Sequence, residues 1–234
     1  MKFRLFFFIL LNISLLSAQT AKDVLDNYTK EFSKPVYMMY STKYSLYKGH
    51  NSKEVLESYT GTFKKNKQND AYIQVQNNEL ITNKSASITI SNNEKIIFLE
   101  NPRPYGTGEF DIKQLLPYFK LEPLEIVNGL FKIKMISTPA SGLPYGKIEV
   151  FINKKYQLVE QVYYFSTAYN LSENEQKPNY VYPKLVIQNF NYKSDSIPES
   201  VFKTDTYVAI SGMTIASKLK SYKVYDKRQK KSKL

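Results

Sequence analysis

From residue 36 to residue 100, apolar and polar side chains alternate in short runs separated by polar clusters. In Val36–Tyr47, Met38, Tyr40, Tyr44 and Leu46 share one parity, with Thr42 among them. In Val55–Phe63, Val55, Tyr59 and Phe63 share a face with Glu57 and Gly61. Ala71, Ile73 and Val75 alternate with Tyr72, Gln74 and Gln76; Ile88 and Ile90 alternate with Thr89 and serines. Lys95–Leu99 is a short apolar run, closed by Asn101-Pro102. Successive side chains of a strand point to opposite faces, so each run predicts a strand with one buried face. The clusters Gly49-His50-Asn51-Ser52, Lys65–Asp70, Asn77-Asn78 and Asn92-Asn93 predict turns. Runs this short and regular predict an antiparallel meander.

The same signal returns at Leu130–Ile136, Lys147–Ile152, Leu158–Phe165, Lys184–Tyr192 and Thr206–Ile210. Asn153-Lys154-Lys155 reads as a hairpin turn, whereas Thr138–Gly146 and the polar stretch Ala168–Pro183 read as loops. Two segments carry a helical pattern instead. Thr20–Phe32 opens with Thr20 and Asp23 at capping-box spacing, sets Val24, Leu25, Tyr28 and Phe32 on one stripe, and ends before Pro35. After the Pro/Gly-rich residues 101–109, Asp111 can cap a short helix carrying Ile112, Leu115, Leu116 and Phe119, limited by Pro117. With one apolar stripe each, these helices are expected to lie over one end or face of the sheet. The fold class expected is mainly β: a strongly curved antiparallel sheet with an N-terminal helix and a short lid helix.

The N-terminus changes the setting of this domain. Met1-Lys2-Phe3-Arg4 is cationic, Leu5–Leu16 is apolar but for Asn12 and Ser14, and Ser17-Ala18 precede polar Gln19. That order is expected of a cleavable signal peptide spanning residues 1–18, cut after Ala18. The apolar run is shorter than the roughly 20 residues that span a bilayer. The chain of 234 residues contains no cysteine, which excludes a lipid anchor at the cut, thiolate metal sites and thiol catalysis. Residues 19–217 are expected to form one domain, and residues 218–234 a basic tail, with Leu219, Tyr222 and Val224 able to extend a sheet edge. Removing Lys2 and Arg4 from 33 basic residues leaves 31 against 21 acidic ones, a net +10. Such an excess favours anionic partners. For an exported chain this means an anionic membrane surface met by the tail, not nucleic acid.

Residues for catalysis are sparse. His50 is the one histidine and sits in a polar turn. No Gly-x-Ser-x-Gly elbow, acidic calcium loop or glycine-rich phosphate loop is present. Ser141-Gly142 reads as a turn, and Glu173 with Glu175 as solvated acids. The expectation is a non-catalytic protein without cofactor or metal. What remains is an apolar surplus that fills a core or lines a cavity, two outcomes that periodicity does not separate.

Three stretches give the element order a family likeness. Ile88–Pro102 is a strand, an Asn-Asn turn and a strand ending in proline before the lid segment. Lys147–Val162 is a hairpin. Leu185–Phe202 is a strand followed by Ile197-Pro198-Glu199-Ser200-Val201-Phe202. In this order the chain resembles the LolA/LolB-like lipoprotein-carrier superfamily of bacterial envelopes. Phe98 stands in the comparable place to that family's tryptophan. Of the arginines Arg4, Arg103 and Arg228, only Arg103 adjoins the lid, whereas the family's arginine comes from an earlier strand. The resemblance implies an incomplete barrel in the periplasm that holds acyl chains of lipids or lipoproteins in its concave side. Tyr44, Leu46, Phe63, Ile73, Val75, Ile88 and Ile90 are then the cavity candidates, and Leu115, Leu116 and Phe119 the lid contacts. The rival expectation is an envelope interaction module with a filled core.

Overall fold

The computed structural model describes residues 19–103, 112–139, 141–172, 176–211 and 214–228. The signal-peptide segment with Arg4, the cap residue Asp111, and Glu173 and Glu175 lie outside them. The chain begins with helix α1 (Ala21–Phe32). It continues through β1 (Met38–Tyr47), β2 (Val55–Lys65), β3 (Ala71–Val75), β4 (Asn78–Thr82), β5 (Ser87–Ser91) and β6 (Ile96–Glu100). The lid segment is one helical turn, α2 (Ile112–Leu115), followed by a 3₁₀ turn through Tyr118. Then come β7 (Phe119–Leu121), β8 (Glu125–Val127), β9 (Leu130–Ser137), β10 (Tyr145–Ile152), β11 (Leu158–Phe165), β12 (Tyr169–Asn170), β13 (Tyr180–Val181) and β14 (Lys184–Lys193). Two 3₁₀ turns lead to β15 (Val208–Ser211), β16 (Thr214–Ser217) and β17 (Lys223–Asp226).

One sheet dominates, in the order β17-β6-β5-β4-β3-β2-β1-β14-β11-β10-β9-β7, with β8 also on β9. It is large and curved and does not close into a barrel. Every pair is antiparallel except β17 on β6, so the expected all-antiparallel sheet gains one parallel edge strand, which carries Val224. Several strands go beyond the alternating pattern. In β4 the apolar Leu80 and Ile81 are adjacent and do not alternate, and the turn is Gln76-Asn77, not Asn77-Asn78. The lid helix is shorter than expected because Phe119 already pairs with Ser137. From there β7 and β8 together edge β9. The Ala168–Pro183 loop contains a two-stranded ribbon, β12–β13.

α1 starts as its sequence predicts: Asp23 N donates to Thr20 Oγ1 at 3.2 Å and Thr20 N to Asp23 Oδ2 at 2.9 Å, a reciprocal capping box. Its buried stripe, Ala21, Val24 and Leu25, joins Ile112, Leu115 and Phe119. Together they pack on Ile133, Met135, Ile148, Val150, Ile152, Tyr163, Leu185 and Ile187. Those strand residues face one another across β9, β10, β11 and β14, on the helix face of the sheet. Across the same strands the opposite face is mixed: Val162 pairs with Val186, and beside them Glu149 meets Lys132 and Lys147 at 3.3 Å and accepts from Tyr164 Oη at 2.9 Å.

On β4–β6 the buried face is the other one. Ile81, Ile88, Ile90, Ile97 and Leu99 lie under Val208, with Tyr207, Leu219, Tyr222 and Val224 around them. A helix is about 10 Å wide and strands stand roughly 4.8 Å apart, so α1 spans only a few strands. Beyond its reach, the C-terminal segment buries the sheet from the opposite face.

Candidate functional site

Where α1 ends, a groove of about 330 Å³ opens between the helix, the start of β1, the β10–β11 turn and the end of β14. Its inner walls are the half-buried Tyr28, Phe32, Met38, Tyr156 and Tyr192 with buried Leu158. Exposed Lys34, Lys155, Lys193 and Ser194 form its rim.

Local contacts hold each wall. Lys65, fully buried at the end of β2, donates from Nζ to the carbonyls of Phe32 and Lys34, both at 2.6 Å, and to Asn69 Oδ1 at 3.2 Å. It thereby closes the C-terminus of α1, whose last carbonyls have no helical donor and whose dipole favours a cation. Burial pushes the Lys65 ammonium down to about 8. In the β10–β11 turn, Asn153 Oδ1 accepts from the amides of Lys155 and Gln157 at 2.8 and 3.0 Å, setting Tyr156 at φ 55°. Tyr156 then accepts from Gln19 Nε2 at 3.1 Å and stacks on Phe131, with centroids 6.1 Å apart. Tyr192 donates to the Leu158 carbonyl and lies 4.8 Å from the Tyr40 ring. Burial raises its phenol well above the ordinary value.

None of the ten residues expected to line a cavity borders this groove. Leu115 and Phe119 are buried in the core under α1, with Tyr44, Leu46 and Leu116 packed against it. Tyr44 faces Tyr59 and Ile187, and burial beside Tyr59 pushes its phenol up to about 12. Phe63 is buried between Tyr40 and Phe32, with ring centroids 4.7 and 5.8 Å away. Ile73 and Val75 are half-buried on the same face, opposite Phe63 and Gly61. Ile88 and Ile90 face the other way: their neighbour Thr89 opposes Leu80, which opposes Ile73. Parity within one strand is legible in a sequence, but the face that each strand shares with distant ones is not.

Tyr156 and Tyr192 escape sequence reasoning because one sits in a turn and the other near the end of a strand. Only Tyr28 belongs to a periodic stripe. His50 is half-buried, with Nε2 2.9 Å from the Phe165 carbonyl and its ring edge-on to Tyr164. Ser141 Oγ lies 2.7 Å from Ser137 Oγ within a loop. Among the described residues no group of three or more His, Asp or Glu side chains could hold a metal ion. No described helix is long and apolar enough to cross a membrane.

No family model matches the chain, and no curated protein does. Solved structures do. An uncharacterized conserved protein from Thermus thermophilus superposes with a TM-score of 0.50 at 10% identity, over 88% of this chain and 98% of the other. The two share a fold. A domain provisionally described as an outer membrane lipoprotein-sorting protein, from Vibrio parahaemolyticus, has a TM-score of 0.38 at 12% identity, over 79% and 96%. A LolA superfamily protein from Nitrosomonas europaea has 0.34 at 10%, over 81% and 100%. The element order expected of a LolA-like chain, helix, curved open sheet and lid segment between β6 and β7, is the order observed.

Proposed function

We propose that this chain is an exported, non-catalytic carrier or binding protein for lipid acyl chains, free or on lipoproteins, in the bacterial periplasm. The groove under the end of α1 carries the reading: tyrosines, Phe32, Met38 and Leu158 form its inner walls, lysines together with Glu31 and Gln157 line the rest, and its volume of about 330 Å³ falls within the size range of ligand pockets. Burial of each methylene contributes roughly 0.8 kcal/mol, so a chain is held by shape without a covalent step. Leu115, Leu116, Phe119, Tyr44 and Leu46 belong to the packed core under α1, not to the groove wall. The family likeness of the sequence supports the same reading, and the signal peptide expected from the sequence suits an exported protein.

The test is organic-solvent extraction of the purified chain, followed by mass spectrometry of lipids and titration with a fluorescent fatty acid. Co-purifying lipid, and binding weakened at least roughly tenfold by Leu158→Asp, is the expected result. A lipid-free protein that also fails to bind the fatty acid overturns it. One observation favours the rival interaction module: Tyr169, Tyr180 and Tyr182 stand exposed on and beside the β12–β13 ribbon. Envelope pull-down that depends on these tyrosines supports that reading.

A further inference from the structure

We propose that the groove end of the sheet is a docking surface for an anionic lipid bilayer, made of an apolar hairpin tip and exposed lysines. Strand register brings its parts to one end. Val127 pairs with Leu130 at the tip of the β8–β9 hairpin, and Phe131 pairs with Ile152 one step in. Ile152 pairs with Leu158 across the β10–β11 turn, and Lys193 closes β14 opposite Met39. The stacked rings of Phe131 and Tyr156 join the hairpin to the groove wall.

The hairpin tip exposes what a soluble surface ordinarily hides. Ile126 is 69% exposed and Val127 36%, and Val36 on the groove rim is 41% exposed. Asn128 and Gly129 both have positive φ, 51° and 77°, so a tight two-residue turn presents the tip rigidly. Along the same end of the sheet, Lys154 and Lys155 in the β10–β11 turn and Lys193 at the end of β14 are exposed, and none forms an ion pair with another described residue. Two of the acids nearby are paired, Glu125 with Lys134 at 2.9 Å and Glu31 with Lys34 at 2.6 Å, whereas Glu122, Asp195 and Glu199, which accepts from Tyr37 Oη at 3.1 Å, form no ion pair among the described residues. Apolar side chains that enter the acyl boundary, flanked by lysines at the depth of anionic head groups, are the signature of interfacial binding. Docked this way, the groove opens into the head-group layer. The exposed tyrosine ribbon lies at the opposite end of the sheet, where β11 ends and β14 begins.

Docking needs no cargo, so the two proposals fail separately: vesicle binding tests this one and solvent extraction tests the carrier reading. The full processed chain is floated with vesicles of phosphatidylcholine alone or with phosphatidylglycerol. Binding is expected only with phosphatidylglycerol. Lys154→Gln/Lys155→Gln/Lys193→Gln weakens it roughly a hundredfold. Ile126→Ser/Val127→Ser weakens it roughly tenfold or more. Because the chain has no tryptophan, Ile126→Trp adds a single reporter whose emission shifts to the blue and is quenched by brominated lipid on docking. Emission from the Ile126→Trp variant that stays unshifted with vesicles overturns the proposal. So does binding lost on Lys230→Gln/Lys231→Gln/Lys233→Gln but kept in the hairpin and turn variants. Binding to protein extracts without binding to vesicles overturns it as well.

Discussion

Lys65 couples the helix to the sheet through three hydrogen bonds from one buried ammonium. Its folded value, about 8, lies below the ordinary 10.5, so across that window the unfolded chain holds a proton that the folded chain has released. Stability therefore rises with pH from about 8 upwards. Tyr44 acts in the opposite sense above about pH 10, because the folded chain keeps a phenol proton that the unfolded chain loses. A stability maximum near about pH 10 is expected from these two groups. Lys65→Met removes the alkaline rise and, by leaving the Phe32 and Lys34 carbonyls without this donor, costs about 1–3 kcal/mol at neutral pH. Thermal melts of both proteins from neutral pH to about pH 11 check this. Nothing in the sequence distinguishes Lys65 from the lysines beside it, and its place there is the start of a polar turn. Its burial follows from where α1 comes to rest.

At the scale of elements, local signals that act within a few residues are legible. The capping box at Thr20 and Asp23 forms as spaced, and Thr20→Ala is expected to lower stability by about 1 kcal/mol in urea titration. In the sequence Gly61 is no more than a member of a strand face. A side-chain carbon there would stand 2.6 Å from the Gln74 carbonyl oxygen, so β2 and β3 meet too closely for any other residue. Gly61→Val is expected to cost more than about 2 kcal/mol, with loss of amide protection in β3. The Asn128-Gly129 pair is a strong hairpin signal that marks the β8–β9 turn, yet β8 supplies only Glu125, Ile126 and Val127, too short a run to show alternation. β4 is hidden for a different reason: its two central apolar residues lie on opposite faces, and both find cover only in the assembled sheet.

For the whole molecule, the consequence of one narrow helix on a wide sheet is two cores on opposite faces. They should respond separately to damage. Val208→Asp, at a position 2% exposed in the C-terminal cluster, is expected to speed hydrogen exchange in β4–β6 while leaving β9–β11 protected. Uniform loss across both halves would mean one cooperative unit. The split also sorts the cavity candidates: Tyr44, Leu46, Phe63, Leu115, Leu116 and Phe119 gather at α1, Ile73 and Val75 extend the same face beyond it, and Ile88 with Ile90 belong to the other core.

The sequence by itself determined what depends on neighbours along the chain. That covers the strand periods, the helix and its cap, the hairpin between β10 and β11, the scarcity of groups for catalysis and the element order that resembles LolA-like carriers. Tertiary structure decided which face of each strand is covered, that β17 joins as a parallel edge, and that the groove gathers Tyr28, Tyr156 and Tyr192. These tyrosines lie 36 to 164 residues apart, and their meeting is set by strand register and the resting place of α1, interactions with no period to read.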